Sequence, residues 1–319
     1  MDLHKKIELI KRNTEEIIGE DKLKEILKLK KPVVYCGYEP SGPIHLGHLV
    51  TITKLIDLQK AGFHVKVLFA DWHTWLNRKG DWDFIHKQCK TWEQGFKVAG
   101  LKAEFILGSK FQRNLNYIDD VFTLSLSTTM NRALRSMQEV ARDFENAKVS
   151  QVIYPLMQIA DVKYLKVDLV EAGIEQRKIH ALGIETFSLI NYKVPVFVHT
   201  SLISSLRGPG KMSSSEPESM ISINDNDESI KKKISNAYCP EGIIENNPIL
   251  QIMKLIIFPR NNKIIIKRPD KFGGKLEFND YGELEKSFVM KKLHPQDLKN
   301  SCSEYLAEIL EPIRKKFKK

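Results

Sequence analysis

In the first thirty residues apolar positions recur near helical spacing among lysines and glutamates, at Ile7, Ile10, Ile17 and Ile18. Residues 1–30 are therefore predicted as helix, with Asp21 starting a second short one and Pro32 ending the run. Val33-Val34-Tyr35-Cys36-Gly37 then reads as a short buried strand. A Gly/Pro/Ser turn over 39–43 leads into a helix over about 47–60, which Gly62 closes, and a second strand follows over 65–70. Strand, turn, helix and strand in that order make an α/β unit with a parallel sheet. Further helices are predicted at about 81–99 and 117–145, with Phe105-Ile106-Leu107 as a strand between them.

The pattern changes after Gly208-Pro209-Gly210. Residues 213–227 are rich in Ser, Glu, Pro, Asn and Asp, the composition of a mobile loop or linker. Lysine-rich amphipathic segments follow and end in the basic tail Arg314-Lys315-Lys316-Phe317-Lys318-Lys319. The expected organisation is a catalytic domain over 1–207, a loop and linker over 208–224, and a smaller, mostly helical domain over 225–319. No internal repeat is evident.

Composition narrows the class. With 319 residues, 42% hydrophobic and 28% charged, the chain has the balance of a folded globular protein rather than a disordered one. Its net charge of +10 suits a polyanionic partner such as RNA, although a lysine- and isoleucine-rich proteome gives the same excess. Cys36, Cys89, Cys239 and Cys302 are scattered, with no pair at metal-ligand spacing, and read as reduced thiols. No apolar run approaches membrane-spanning length, and the charged N-terminus reads as helix rather than signal peptide. A cytoplasmic protein is expected.

Three clusters carry candidate chemistry. Pro43-Ile44-His45-Leu46-Gly47-His48 follows a strand and opens a helix. Gly47 allows close backbone approach, and the helix start offers N–H groups to a phosphate. His45 and His48, three apart, can face one ligand, though two such histidines alone fit a surface or core role as well. Lys211-Met212-Ser213-Ser214-Ser215 follows the Gly-Pro-Gly segment and supplies a cation and hydroxyls suited to a phosphoryl transition state. Tyr154, Gln158 and Asp161 lie at i, i+4 and i+7, so they share one helix face among apolar neighbours. That face fits a polar cleft or a satisfied core network.

His45-Leu46-Gly47-His48 and Lys211 to Ser215 resemble the two signature motifs of class I aminoacyl-tRNA synthetases. Tyr35-Cys36-Gly37-Tyr38-Glu39-Pro40-Ser41-Gly42 resembles the tyrosyl-tRNA synthetases of archaeal and eukaryotic type. The resemblance implies an α/β fold: a Rossmann-like parallel-sheet catalytic domain with a smaller, mostly helical C-terminal domain that binds the anticodon. It implies ATP as substrate, Mg²⁺ accompanying ATP with no dedicated protein site, L-tyrosine, tRNA(Tyr), and a homodimer with its interface near 110–150. Catalytic roles fall to His45, His48, Lys211, Ser213 and Ser214, and nucleotide contacts also to Gly37, Gly47, Met212 and Ser215. Tyr35 and Asp161 would bind the phenolic hydroxyl; Tyr154, Gln158 and Gln176, with Glu39 nearby, would hold the ammonium; His73, Phe111 and Gln112 would line the pocket. Arg135, Arg177 and Lys178 would approach the acceptor stem, and Phe272, His294 and Asp297 the anticodon. Taken without the resemblance, Phe272 reads as a core residue, and so do Trp72 and Trp75, which flank His73 where relatives carry smaller residues.

Three rivals follow from the same motifs. A tryptophanyl enzyme shares both, but indole offers one N–H and no hydroxyl to Tyr35 and Asp161. A small-metabolite nucleotidyltransferase has little use for the basic C-terminal domain. A catalytically silent RNA-binding protein on the same scaffold has no need of an intact His45, His48 and Lys211.

Overall fold

The computed structural model describes residues 1–140, 146–212 and 216–317, with residues 211 and 317 described by backbone alone. The chain divides into two compact units. One comprises Met1–Ser41, Lys54–Lys97 and Leu101–Ser201; the other comprises Gly42–Thr53, Val98–Gly100 and Leu202–Lys319.

The first unit is built on a six-stranded sheet of β1 (Thr14–Ile18), β2 (Val33–Tyr38), β3 (His64–Phe69), β4 (Glu104–Leu107), β5 (Leu169–Gly173) and β6 (Val196–Thr200), in spatial order β1-β6-β5-β2-β3-β4. Strands β2 to β6 run parallel. The central ones are nearly continuous runs of buried residues, as a sheet covered on both faces requires. The chain winds from β2 outward to β4, then returns to add β5 and β6 on the other side of β2. The strand order therefore reverses between β2 and β5, and in open α/β sheets ligands bind beyond the carboxyl ends of the strands at such a point.

Two expectations are corrected here. Residues 1–30 are not all helix: the helix Leu3–Lys11 stops, Asn13 turns at φ 55°, and Thr14–Ile18 forms β1, antiparallel to β6. The β-branched Thr14, Ile17 and Ile18 suit a strand, and pairing with β6 outweighs the helical spacing. The segment predicted as one helix over 117–145 is two, Leu115–Ser127 and Met130–Ser136. They are divided where the Thr129 hydroxyl accepts from Arg132 N at 3.2 Å and starts the second. Residues 141–145 of that prediction lie outside the described residues. The strand and helix predicted over 33–60 appear as β2 and the helix Leu46–Ala61.

In the second unit a small hairpin of β7 (Ser204–Ser205) and β8 (Gly208–Lys211) precedes the helices Asp227–Asn236, Pro248–Ile252, Tyr281–Val289 and Pro295–Phe317, with β9 (Ile264–Ile266) and β10 (Leu276–Phe278) paired antiparallel. The long last helix buries Leu298, Cys302, Leu306, Leu310 and Ile313, one apolar stripe at helical spacing. All four cysteines are free and buried. Among the described residues no helix is long and apolar enough to cross a membrane.

Candidate active site

In the first unit the predicted tyrosine ligands collect at the carboxyl ends of the parallel strands. Glu39 follows β2, His73 lies in the helix Asp71–Leu76 after β3, Gln112 follows β4, and Gln176 follows β5. Tyr154, Gln158 and Asp161 come from the helix Val149–Tyr164, which leads into β5. Their shared face is the one the i, i+4, i+7 spacing predicted.

Asp161 is at the bottom of this group and wholly buried. Its Oδ1 accepts from Gln112 Nε2 at 2.8 Å and from the Tyr117 hydroxyl at 2.9 Å. Its Oδ2 is buried with no hydrogen-bond donor; the His73 ring nitrogen Nε2 is 3.8 Å away. Burial raises the Asp161 carboxyl to about 7 against the pull of Gln112 and Tyr117, and lowers His73 to about 3, so His73 is neutral at pH 7. An orphaned carboxyl oxygen in a buried setting favours a hydroxyl partner at that point. Tyr35, also buried, places its hydroxyl where a Cβ on residue 37 would meet it at 2.6 Å, which gives Gly37 a steric reason to lack a side chain.

The polar end of the group is linked through amides. Gln158 Nε2 donates to Gln176 Oε1 at 3.2 Å, and Gln176 Nε2 reaches Glu175 Oε1 at 3.5 Å. Glu39 accepts from Asn77 Nδ2 at 2.8 Å and from the Lys79 ammonium. Tyr154 packs edge-on to His73 with ring centroids 4.6 Å apart.

The His45-Leu46-Gly47-His48 turn is held within the second unit. Leu46 N donates to Ile221 O at 3.1 Å and Ile223 N to Ile44 O at 2.9 Å, so this turn is zipped to the segment that follows the Lys-Met-Ser-Ser-Ser loop. The backbone N–H of Gly47 donates to His45 Nδ1, and that of His45 donates to His48 Nδ1, each at 3.1 Å. With both Nδ1 atoms accepting, each ring carries its proton on Nε2. Burial lowers His45 to about 4, which keeps it neutral. The two rings lie 3.8 Å apart, and a Cβ at Gly47 would come within 2.9 Å of the His45 ring. Gly208 and Gly210, at φ 119° and 116°, take the left-handed turns that carry the chain into Lys211. Met212 is partly buried. Ser213, Ser214 and Ser215 lie outside the described residues, as does the side chain of Lys211. Among the described residues no group of three or more His, Cys, Asp or Glu is placed to hold a metal ion.

Of the residues expected at tRNA, Arg177 and Lys178 open the helix Arg177–Thr186, and Arg135 is exposed on Met130–Ser136. Lys178 Nζ pairs with Glu139 at 3.1 Å and Gln138 at 3.0 Å. In the second unit Phe272 is 60% exposed, which corrects its reading as a core residue: the turn Asp270–Phe272 ends at Gly273 and Gly274, both at positive φ, and presents the ring outward beneath Lys271. Arg268 donates to Gly274 O at 2.9 Å and Lys292 O at 3.1 Å, and so ties this turn to the segment before His294 and Asp297. Trp75 is likewise no core residue. It is 42% exposed and stacks on Trp82, while Trp72 is partly buried against both.

Sequence reasoning missed Tyr117, whose hydroxyl also donates to Met157 O at 2.9 Å; no local spacing marks a contact made across 44 residues. It also missed Glu171. This buried carboxyl accepts from the Thr200 hydroxyl at 3.2 Å beside the Cys36 thiol, with Oε2 lacking a donor, and burial raises it to about 8. A lone Glu in an otherwise apolar strand run is the signal that was available.

Residues 27–311 match the family described as tRNA synthetases class I (W and Y). The tyrosine–tRNA ligase of Methanocaldococcus jannaschii is 50% identical over 311 residues, 97% of this chain and 99% of that protein. Its counterpart in Methanosarcina barkeri is 47% identical over 314 residues, 97% and 98% of the two chains. Among solved structures, the tyrosyl-tRNA synthetase of Archaeoglobus fulgidus complexed with L-tyrosine has a TM-score of 0.96 at 46% identity and covers 98% of this chain and 99% of that one. Identity of this level over nearly the full length agrees with a buried acceptor poised for a hydroxyl, and the chain belongs to the tyrosine–tRNA ligases of the class I aminoacyl-tRNA synthetase family.

Proposed function

We propose that the chain activates L-tyrosine with ATP and passes it to the 3′-terminal adenosine of tRNA(Tyr), with its residues in the following roles. The substrate phenol donates to Asp161 Oδ2 and lies beside the Tyr35 hydroxyl. The orphaned Oδ2 is the observation that carries this assignment. Phenylalanine in the same place leaves that oxygen desolvated and unpaired, which costs more than a missing contact. Tyr154, Gln158 and Gln176 receive the ammonium, with Glu39 adding negative charge nearby.

The tyrosine carboxylate attacks the α-phosphorus of ATP; the α–β phosphoanhydride bond breaks, and tyrosyl-adenylate and pyrophosphate form. The Nε2–H groups of His45 and His48 and the Lys211 ammonium meet the developing phosphate charge, with Ser213, Ser214 and Ser215 as further donors. Mg²⁺ travels with the nucleotide's own phosphates. The 2′- or 3′-hydroxyl of the terminal adenosine then attacks the tyrosyl carbonyl, and AMP leaves. No enzyme nucleophile is required. Arg135, Arg177 and Lys178 face the acceptor stem, and Phe272, His294 and Asp297 the anticodon, where an exposed ring suits stacking on an unpaired base. The chain acts as a homodimer.

Amino-acid-dependent ATP–pyrophosphate exchange, with tyrosine, tryptophan and phenylalanine in parallel, tests the assignment. Exchange with tyrosine alone is expected. Asp161→Asn should lower it about tenfold or more and narrow the margin over phenylalanine. Exchange driven by tryptophan would overturn the roles of Tyr35 and Asp161.

A further inference from the structure

Arg177 immediately follows Gln176 and opens the helix Arg177–Thr186. Its Nε donates to both oxygens of Glu16 on β1, at 2.9 and 2.8 Å. Glu16 is held in turn by His199 on β6, whose Nδ1 lies 3.0 Å from Oε2, and His199 Nε2 lies 2.8 Å from Nδ1 of His180. His180 stands three residues after Arg177, on the same face of the same helical turn. Arg177, Glu16, His199 and His180 thus close a loop that fastens the first turn of this helix to the β1–β6 edge of the sheet. An irregularity in β1 between Thr14 and Glu16 sets Glu16 directly opposite His199.

The polarity of the loop is determined. Glu16, ionised beside Arg177, only accepts, so His199 donates from Nδ1. Burial keeps both histidines neutral, which leaves His199 Nε2 as acceptor and His180 Nδ1 as its donor. Each histidine N–H has one acceptor, and the chain of bonds ends on the Glu16 carboxylate. His199 and His180 are almost wholly buried, whereas half of the Arg177 side chain is in solvent. The rigid end of the loop is inside and the guanidinium is at its outer tip.

The mode of grip matters. A carboxylate that masked the arginine would take its terminal amino groups in a fork. Here Glu16 takes Nε alone, and neither terminal amino group has a partner within the chain among the described residues. As far as the described residues go, both can bond a phosphate or base edge bidentately. We propose that Glu16 is a positioning residue for tRNA: backed by His199 and His180, it holds the Arg177 guanidinium with its terminal amino groups turned toward the acceptor end of the tRNA. An isolated exposed ion pair orders a side chain poorly, but a carboxylate anchored on a buried histidine is ordered before the guanidinium arrives. This rests on the assignment of Arg177 to the tRNA side.

The test measures tRNA aminoacylation by the full chain as Glu16→Ala, Arg177→Ala and the double variant, together with tyrosine-dependent pyrophosphate exchange by Glu16→Ala. Glu16→Ala should raise KM for tRNA roughly five- to tenfold, the scale of one coupled contact, with exchange within about twofold of the parent. The double variant should be no worse than Arg177→Ala, since Glu16 acts only through Arg177. Additive losses, or an exchange rate falling in step with aminoacylation, would overturn the proposal by making Glu16 a general structural residue. If Arg177→Ala raises KM and Glu16→Ala does not, the positioning role fails while the tRNA assignment of Arg177 stands. If Arg177→Ala leaves KM unchanged, the assignment itself fails and the proposal with it.

Discussion

Two buried carboxyls in the first unit, Asp161 and Glu171, are both raised by desolvation, yet only Asp161 belongs to the proposed tyrosine pocket. Glu171 is surrounded by Cys36, Thr200, Glu175 and Lys54, and its folded value of about 8 lies above the ordinary 4.5. A raised carboxyl contributes its full stability below about pH 4.5 and loses it as pH climbs through about 8, because the unfolded chain ionises first. Glu171→Gln removes that loss. Its melting temperature should match the parent near pH 5 and exceed it by a few degrees near pH 8, read by calorimetry across that window. Asp161 loses stability in the same direction up to about pH 7, equally in parent and variant. Lys54, lowered to about 8 by burial, gains stability as pH rises above that value, at the upper edge of the window. A variant that melts lower than the parent at pH 8 would show that the carboxylate form is the stabilising one.

At the scale of elements, the helix Leu115–Ser127 is apolar on two sides. Tyr117, Val121 and Leu124 face the core, while Leu115, Ile118, Phe122 and Leu126 stand outward at i, i+3, i+7 and i+11, with Leu126 88% exposed. A contiguous exposed stripe of this kind marks an association surface, and it lies within the 110–150 stretch expected to join two copies. If the chain is the homodimer proposed above, the paired change Phe122→Glu with Leu126→Glu should convert it to monomer in sedimentation velocity. A variant that stays dimeric would place the interface elsewhere. The same element scale explains the β1 miss. Three of its five residues, Thr14, Ile17 and Ile18, have strand-forming side chains, and the hydrogen-bonding edge of β6, supplied from about 180 residues away in the chain, decides their conformation over the helical spacing.

For the whole molecule, 50 basic against 40 acidic side chains provide the excess that a polyanion would meet. Neutralising tRNA phosphates releases condensed counterions, so tRNA binding should weaken steeply with salt. KM for tRNA is expected to climb several-fold between about 50 and 200 mM salt, with tyrosine-dependent exchange much less affected. Equal sensitivity of both reactions would point to salt acting on the fold or on ATP instead.

Much of this protein was determined by its residues in order. Three strands of the parallel sheet, β2, β3 and β4, the helix after the first turn and the two motifs proposed to meet the nucleotide are local patterns, because burial periodicity and glycine-dependent turns act over a few residues; β5 and β6 were not read from the sequence. The shared face of Tyr154, Gln158 and Asp161 is a consequence of helix geometry alone. Tertiary structure decided the rest: Tyr117 beside Asp161, the donorless Oδ2, the exposed Phe272 and Trp75, and the loop from Arg177 to His180. Each depends on which groups approach across long chain separations and how much water they lose in doing so. Neither the desolvation of a carboxyl nor the orphaning of one of its oxygens has any local pattern to announce it.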